Sequence, residues 1–128
     1  MSKLLEVKKL TVQYTTDDAV IHAVNGISFD IEEGQTLGIV GETGAGKTTT
    51  CLSILRLISS TSGQIQEGEI LFEGNDILKK SESEMRKIRG QKISMIFQDP
   101  MTALNPVIPV GKQISEVIRK HQKCSRTE

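Results

Sequence analysis

The sequence predicts an α/β fold, in which a buried strand leads through a glycine-rich loop into a helix and an antiparallel β layer lies beside this core. Three observations predict it. A continuous apolar run, TLGIV at residues 36–40, ends at Gly41, as expected for a strand covered on both faces. Apolar residues recur at helical spacing directly after the loop. Strand-like sequence fills about 35 residues before the run.

The composition is that of a soluble globular domain. The chain has 128 residues, of which 37% are apolar and 25% are charged, and this length fits one domain. Its 16 Lys and Arg residues balance its 16 Asp and Glu residues, so any anion must be held by a local site. No apolar run could span a membrane, and the N-terminus lacks the apolar core of a signal peptide. We therefore expect a cytoplasmic protein that binds no nucleic acid.

The two cysteines, Cys51 and Cys124, are too few and too far apart in the sequence to predict a metal cluster. We interpret both as reduced thiols. Cys51 lies inside a helical pattern and is expected in the core, whereas Cys124 is expected to be exposed.

The first strand is predicted at residues 4–14. Apolar and polar side chains alternate there once a slip is allowed near Lys8 and Lys9. This alternation leaves four candidate inward positions: Leu5, Val7, Leu10 and Val12.

Two further strands are predicted in the same antiparallel layer. Residues 20–31 form a second strand-like region, broken at Asn25-Gly26. A polar connector at residues 59–68 then precedes EILFEG, which predicts another strand. The close spacing of the first two strands favours antiparallel pairing.

The loop helix is predicted to run from Gly46 to about Ile58. Its apolar stripe consists of Cys51, Leu52, Ile54, Leu55 and Ile58. A second, shorter helix is predicted from Ser81, which forms a capping box with Glu84, to a C-terminal cap at Gly90.

The last third of the chain contains a second candidate buried strand, ISMIF at residues 93–97. All three prolines follow in residues 98–110, which excludes long regular structure there. An amphipathic helix is predicted near residues 110–122, since apolar side chains and one histidine recur at helical spacing: Ile114, Val117, Ile118 and His121. An apolar helix face of this kind is typical of a helix that packs in the core. The alternative is that this face binds a partner protein.

The loop itself predicts phosphate binding. The pattern Gly41-x-x-x-x-Gly46-Lys47-Thr48 lets the backbone curl so that successive N–H groups face one anion at the start of a helix. Lys47 is expected at the β and γ phosphates of ATP, Thr48 at Mg²⁺, and Thr49 at the α phosphate. The candidate binding residues are Tyr14, discussed next, and Gly41, Glu42, Thr43, Gly44, Ala45, Gly46, Lys47, Thr48 and Thr49.

Tyr14 is the candidate for the nucleotide base. It stands just before a turn at the end of the first predicted strand. An aromatic ring there could stack on adenine while the loop holds the phosphates. Alone, Tyr14 is equally an ordinary strand residue.

These features together resemble the ATP-binding subunits of ABC transporters, and within them the oligopeptide and dipeptide importers. The similarity is carried by AVNGISFDIEEGQTLGIVGETGAGKTT, GEILFEGNDIL and MRKIRGQKISMIFQDPMTALNP. The last stretch is similar to the segment around the family's Q-loop and is the most specific. The resemblance implies that Tyr14 stacks on adenine and that Gln98 is the Q-loop glutamine, a catalytic residue with Lys47 and a magnesium ligand with Thr48.

The resemblance also implies an organisation. Residues 1–128 are expected to be the N-terminal part of an ABC ATPase domain, a P-loop NTPase with an antiparallel β subdomain beside a partial parallel core. Its parts are about 1–35 and 64–75 for the antiparallel layer, about 36–60 and 91–98 for the P-loop core, and about 99–128 for the Q-loop and the start of the helical subdomain.

The implied activity is ATP hydrolysis coupled to peptide import. The implied partners are transmembrane permease subunits, a second ATP-binding subunit and, indirectly, an extracytoplasmic solute-binding protein, with the subunit on the inner face of the cell membrane. The sequence has no LSGGQ-type signature, no Asp-Glu pair after four apolar residues and no switch histidine. We therefore expect these residues to bind ATP with little turnover. The alternatives are a stand-alone nucleotide-binding regulatory module and a small P-loop kinase.

Overall fold

The computed structural model describes residues 2–59, 61–125 and 127. Some predicted regions include Met1, Ser60, Arg126 or Glu128, and these four residues lie outside the described part of the chain. The chain divides into two compact units, Met1–Lys80 and Ser81–Glu128. Each unit is described by itself below.

The first unit is built on an antiparallel sheet. Its strands are β1 (Lys3–Thr15), β2 (Val20–Glu32), β3 (Gly63–Phe72) and β4 (Asn75–Asp76), in the spatial order β2-β1-β3-β4. This confirms the predicted antiparallel layer. β3 begins within the residues predicted as a polar connector, because pairing with β1 extends the strand toward its N-terminus.

The slip predicted in β1 is a bulge. The register with β2 shifts between Val7 and Leu10, and Lys9 adopts a φ of 48°. A bulge inserts one unpaired residue and so restores the inward direction of the side chains that follow. The four predicted inward side chains are all buried: Leu5, Val7, Leu10 and Val12.

The predicted break in the second strand is wrong. β2 continues through Asn25 and Gly26, and Gly26 has a φ of 64°. The Gly26 N–H donates to the Thr11 hydroxyl at 3.1 Å. A cross-strand side chain therefore satisfies the backbone where the ladder is irregular, and the strand bends instead of ending.

The loop helix, α1 (Lys47–Ile54), is shorter than predicted. Arg56 takes a left-handed conformation with a φ of 52°, and the Leu57 N–H donates to the Leu52 carbonyl at 2.8 Å, which closes the helix end. The Arg56 guanidinium also donates to the Lys80 carbonyl at 2.5 Å and the Ile77 carbonyl at 3.4 Å. These contacts hold the chain after α1 against the short 3-10 turn Ile77–Lys79.

The core of the first unit lies between the sheet and the elements that cover one face of it. Leu10 and Ile70 from the sheet and Ile77 from the 3-10 turn are fully buried. The other buried apolar side chains of this unit are Leu5, Val7, Val12, Val24, Leu55 and Phe72. Cys51 and Cys124 are free thiols, as expected, but both are half-buried, so each differs from its predicted exposure.

Two predicted strands are not formed. Residues 36–40 and 93–97 have no strand pairing, apart from an isolated bridge between Arg89 and Ile93. A buried parallel strand needs hydrogen-bonded neighbours and covering helices. The described residues supply neither to these segments, so Val40 is 96% exposed and Ile96 is 92% exposed.

The second unit contains α2 (Glu82–Ile88) and α3 (Val110–His121). The predicted capping box is confirmed: the Glu84 N–H donates to the Ser81 hydroxyl at 3.3 Å, and the Ser81 N–H donates to the Glu84 carboxylate at 2.8 Å. Gly90 follows the C-cap with a φ of 82°. Both ends of α2 are therefore capped as the sequence predicted.

The proline-rich segment forms one 3-10 turn, Pro100–Ala103, and otherwise lacks regular structure. The Gln113 side chain in α3 forms hydrogen bonds to this segment. Its amide donates to the carbonyls of Asn105 and Ile108, at 2.9 and 2.8 Å, and accepts from the Asn105 N–H at 2.9 Å. Within the described residues, no helix is long and apolar enough to cross a membrane.

Two glycines of the sheet provide a test of this packing. Both have positive φ, 112° at Gly68 and 75° at Gly74, but a Cβ added to Gly68 would lie 2.7 Å from the Lys8 carbonyl oxygen, whereas Gly74 faces open space. We expect Gly68→Ala to lower the free energy of unfolding by about 1–3 kcal/mol more than Gly74→Ala, because only the first adds a backbone clash to the conformational strain. Urea denaturation followed by circular dichroism measures both. Equal losses would contradict the described β1–β3 packing.

Candidate functional site

The candidate site is the loop between residues 41 and 49. Gly44 and Gly46 have φ values of 83° and 86°, which side chains with a Cβ rarely adopt. The Ala45 N–H donates to the Glu42 carbonyl at 3.0 Å and closes a turn within the loop. The glycines therefore allow the curled backbone that the sequence pattern predicted.

Gly46 also sets the start of α1. A Cβ at this position would lie 2.2 Å from the Ala23 carbonyl oxygen of β2. Only glycine therefore allows this approach of the loop to the strand. The Gly46 carbonyl then accepts from the Thr50 N–H at 2.9 Å and from its hydroxyl at 2.8 Å, which begins the helix.

The first turn of α1 presents unused donors. Among the described residues, no hydrogen-bond acceptor is found for the N–H groups of Lys47, Thr48 and Thr49, and the N-cap Gly46 has no side chain to supply one. Such groups lie at the positive end of the helix dipole. This combination binds anions, and phosphate oxygens in particular.

The Lys47 side chain folds back over the loop. Its ammonium group donates to the Gly41 carbonyl and, at 2.8 Å, to the Glu42 carbonyl. Lys47 is half-buried, whereas Glu42 and Thr43 are exposed. Among the described residues, no carboxylate forms an ion pair with this ammonium group, which contacts the loop that leads into α1.

The hydroxyl groups of α1 divide into two sets. Those of Thr50 and Ser53 donate to the carbonyls of Gly46 and Thr49, at 2.8 and 2.7 Å, and are buried. Thr48 is exposed, and no protein group is found bonded to its hydroxyl within the described chain. Of these hydroxyl groups, that of Thr48 is therefore the one available to a cation at the start of the helix.

Tyr14 lies beside this helix start. Its hydroxyl is 3.5 Å from the Thr49 hydroxyl, and its ring packs over Gly63, where an added Cβ would lie 2.8 Å from ring atom Cε1. Tyr14 is half-buried and pairs with Ile21 and Gly63 across the sheet. The sheet thus brings an aromatic side chain to the start of α1.

Gln98 belongs to the second unit, where it is exposed and lies in a bend after residues 93–97. The expected position at the end of a strand is wrong, because that segment is not a strand. The next residue, Asp99, accepts from the Met101 N–H at 3.1 Å and begins the 3-10 turn. Of the predicted site residues, Tyr14 and the loop therefore lie together in the first unit.

Gly63 was missed by sequence reasoning. It stands in residues predicted as a polar connector, and nothing in its neighbours marks it as the contact of a distant aromatic ring. Only the pairing of β1 with β3 brings Gly63 opposite Tyr14.

Comparison with known proteins identifies relatives along nearly the whole chain. Residues 24–127 match the family model described as ABC transporter. The chain is 49% identical over 126 residues to the oligopeptide transport ATP-binding protein OppD of Bacillus subtilis, covering 98% of this chain and 35% of the relative. It is 48% identical to the dipeptide transport ATP-binding protein DppD of the same organism, covering 98% of this chain and 38% of the relative. The chain therefore spans little more than a third of these relatives.

The fold is similar to that of a solved ABC transporter cassette. The dimeric structure of MJ0796, a bacterial ABC transporter cassette, matches with a TM-score of 0.80 and 24% identity, covering 94% of this chain and 49% of that one. A second MJ0796 structure, a post-hydrolysis state bound to ADP and Pi, matches with a TM-score of 0.79. This likeness confirms the predicted fold class.

The two loop glycines allow a matched test of the site geometry. Gly44 and Gly46 both have positive φ, but a Cβ at Gly44 meets nothing within 4 Å. We expect Gly46→Ala to displace the start of α1 from β2 and to raise amide exchange in residues 50–54 by about tenfold or more, with Gly44→Ala having a smaller effect. Hydrogen exchange measured by mass spectrometry distinguishes them. Unchanged exchange in Gly46→Ala would contradict the described contact with Ala23.

Proposed function

The chain belongs to the ABC transporter family, and we propose that it provides the ATP-binding site of an importer subunit for oligopeptides or dipeptides. The observation that carries this proposal is the first turn of α1. There the N–H groups of Lys47, Thr48 and Thr49 have no acceptor among the described residues, the Lys47 ammonium bonds to carbonyls of the preceding loop, and the Tyr14 hydroxyl lies 3.5 Å from that of Thr49. The peptide class is supported by the relatives, which are described as oligopeptide and dipeptide transport ATP-binding proteins.

The loop residues bind and orient the triphosphate in this proposal. In this proposal the unused N–H groups of Lys47, Thr48 and Thr49 bind the β phosphate, and the Lys47 ammonium leaves its loop carbonyls for β and γ phosphate oxygens. The positive φ values of Gly44 and Gly46 give the loop its curl, and in this proposal the Lys47 side chain, which now bonds to the Gly41 and Glu42 carbonyls, moves to admit the anion. The site residues are therefore Gly41, Glu42, Thr43, Gly44, Ala45, Gly46, Lys47, Thr48 and Thr49.

We propose Mg²⁺ as the accompanying cation. The exposed Thr48 hydroxyl, in the first turn of α1, is one proposed ligand, and the Gln98 side-chain oxygen is the other that the resemblance to ABC transporters implies. Bound Mg²⁺ would supply charge neutralisation at the β and γ phosphates. In this proposal Gln98 also orients the attacking water, so Lys47 and Gln98 are the catalytic residues among residues 1–128.

Tyr14 selects for a nucleotide base. We propose that adenine stacks on its half-buried ring, whose Cε1 atom lies beside Gly63. Stacking tolerates a range of bases and adds affinity without hydrogen-bonded readout. Tyr14 therefore separates ATP from a simple polyphosphate.

The transport roles extend beyond the described residues. We propose that the complete subunit couples ATP binding and hydrolysis to peptide import through transmembrane permease subunits, at the inner face of the cell membrane. It would work with a second ATP-binding subunit and, indirectly, with an extracytoplasmic solute-binding protein. Residues 1–128 alone would bind ATP with little turnover, because they lack an LSGGQ-type signature and the Asp-Glu pair.

Replacing Lys47 tests the phosphate site. We expect Lys47→Ala to weaken magnesium-ATP binding about 10- to 100-fold, since a charge-assisted hydrogen bond to phosphate contributes about 1.5–3 kcal/mol. Isothermal titration calorimetry measures the affinity. Lys112→Ala removes the same charge from an exposed position in α3 and should bind like the wild type. Equal affinities of wild type and Lys47→Ala would refute the proposal.

Replacing Tyr14 tests the base platform separately. We expect Tyr14→Ala to weaken magnesium-ATP binding about 5- to 150-fold, which corresponds to about 1–3 kcal/mol of stacking on one base. Tyr14→Phe keeps the ring and should retain the affinity. Inorganic tripolyphosphate, titrated in the same calorimeter, should bind all three proteins alike. If Tyr14→Ala weakened both ligands equally, Tyr14 would be a structural residue and not a base platform.

A further inference from the structure

Gly63, the first residue of β3, lies in a crowded place beside the Tyr14 ring. A Cβ added to Gly63 would lie 2.8 Å from the Tyr14 ring atom Cε1, closer still to Ile58 Cγ2, and 3.2 Å from the Ser59 carbonyl oxygen. Carbon atoms that are not bonded to each other pack best at about 3.5–4.0 Å. These three neighbours therefore fill the space that a side chain at residue 63 would need.

Glycine is required at this position for space and not for backbone conformation. Gly63 is not among the glycines of the described chain that have positive φ. The usual reason for glycine, a left-handed backbone, therefore does not apply to it. Gly63→Ala adds a methyl group without conformational strain, so its effect reports on the side chains around residue 63.

The backbone at Gly63 is held from two directions. The Gly63 N–H donates to the Ser59 carbonyl at 2.8 Å, and the Thr15 N–H donates to the Ser62 carbonyl at 2.7 Å. Gly63 also pairs with Tyr14 across β1 and β3. Tyr14 and Ile58, in contrast, approach Gly63 with side-chain atoms, which can move by rotation. An added methyl group would therefore displace the Tyr14 ring and the Ile58 side chain before it displaced the strand.

We propose that Gly63 is a positioning residue of the base site, because its missing side chain allows the Tyr14 ring to stand where adenine can stack on it. This inference rests on the proposed function, in which Tyr14 stacks on adenine. A methyl group at residue 63 would turn the ring and move its hydroxyl, which lies 3.5 Å from the Thr49 hydroxyl. The ring would then no longer face the base of a nucleotide whose phosphates bind at the start of α1.

Two ligands distinguish a displaced ring from a damaged fold. We expect Gly63→Ala to weaken magnesium-ATP binding about 3- to 30-fold, as part of the stacking on one base is lost, and to change the affinity for inorganic tripolyphosphate by less than about twofold. Isothermal titration calorimetry measures both. Gly111→Ala is the matched control, since Gly111 also lacks positive φ but a Cβ there meets nothing within 4 Å. It should bind both ligands like the wild type.

The position of the ring can be measured without a ligand. Tyr14 is the only tyrosine, and the chain has no tryptophan. In protein that carries isotope-labelled tyrosine, the ring proton signals in a nuclear magnetic resonance spectrum therefore belong to Tyr14 alone. The wild type should show Overhauser contacts between the ring ε protons and the Gly63 α protons. In Gly63→Ala the ring signals should shift and the contacts to residue 63 should weaken.

A double variant serves if Gly63→Ala does not fold, which circular dichroism would show. Adding Ile58→Ala removes the closest clash and leaves the one with the Tyr14 ring. The double variant should therefore show the same selective loss of affinity for magnesium-ATP.

Three outcomes would overturn the inference while Tyr14→Ala weakened ATP binding alone. These are an unchanged ATP affinity in Gly63→Ala, an equal loss for ATP and tripolyphosphate, and a selective loss without any shift of the ring signals. Failure of the proposed base site gives a different result, because Tyr14→Ala itself would then leave the ATP affinity unchanged. This inference would fall with it.

Discussion

The approach of Gly46 to the Ala23 carbonyl is the constraint on which the site depends. A Cβ at Gly46 would lie 2.2 Å from that oxygen, so the start of α1 can rest on β2 only with glycine there. The contact joins the start of α1 to β2, at a residue more than twenty positions earlier in the sequence. It thereby fixes the direction of the first helical N–H groups, and the same sheet carries Tyr14 to their side. In the proposed site, anion binding and base stacking thus depend on the same sheet.

Some structural features could be predicted because they depend on residues nearby in the sequence, whereas others depend on residues that are distant in the sequence. The Ser81 capping box, the bulge near Lys9 and the curl at Gly44 were all predictable, because each depends on neighbours within a few positions. The contact between Tyr14 and Gly63 was not predictable, because it depends on how β1 and β3 pair. The early end of α1 also depends on distant groups, since Arg56 bonds to carbonyls after β4.

The two apolar runs show why composition alone overestimates strand content. TLGIV and ISMIF have the composition of strands buried on both faces. Their composition therefore indicates the environment in which they would be stable as strands. The described chain does not provide that environment, so residues 36–40 and 93–97 remain outside the sheet. The antiparallel layer does form, because β1 lies between β2 and β3 and pairs with both. The hairpin of β1 and β2 is local in the sequence, whereas parallel strands are joined only through a crossover connection.

The uncovered apolar side chains have a consequence for the lifetime of the chain in a cell. Val40 in the first unit and Ile96 and Val107 in the second unit are 96%, 92% and 85% exposed, and exposed apolar side chains favour aggregation and recognition by quality control. The amount of such a chain in a cell therefore depends on how fast chaperones and proteases act on it as well as on the rate of its synthesis.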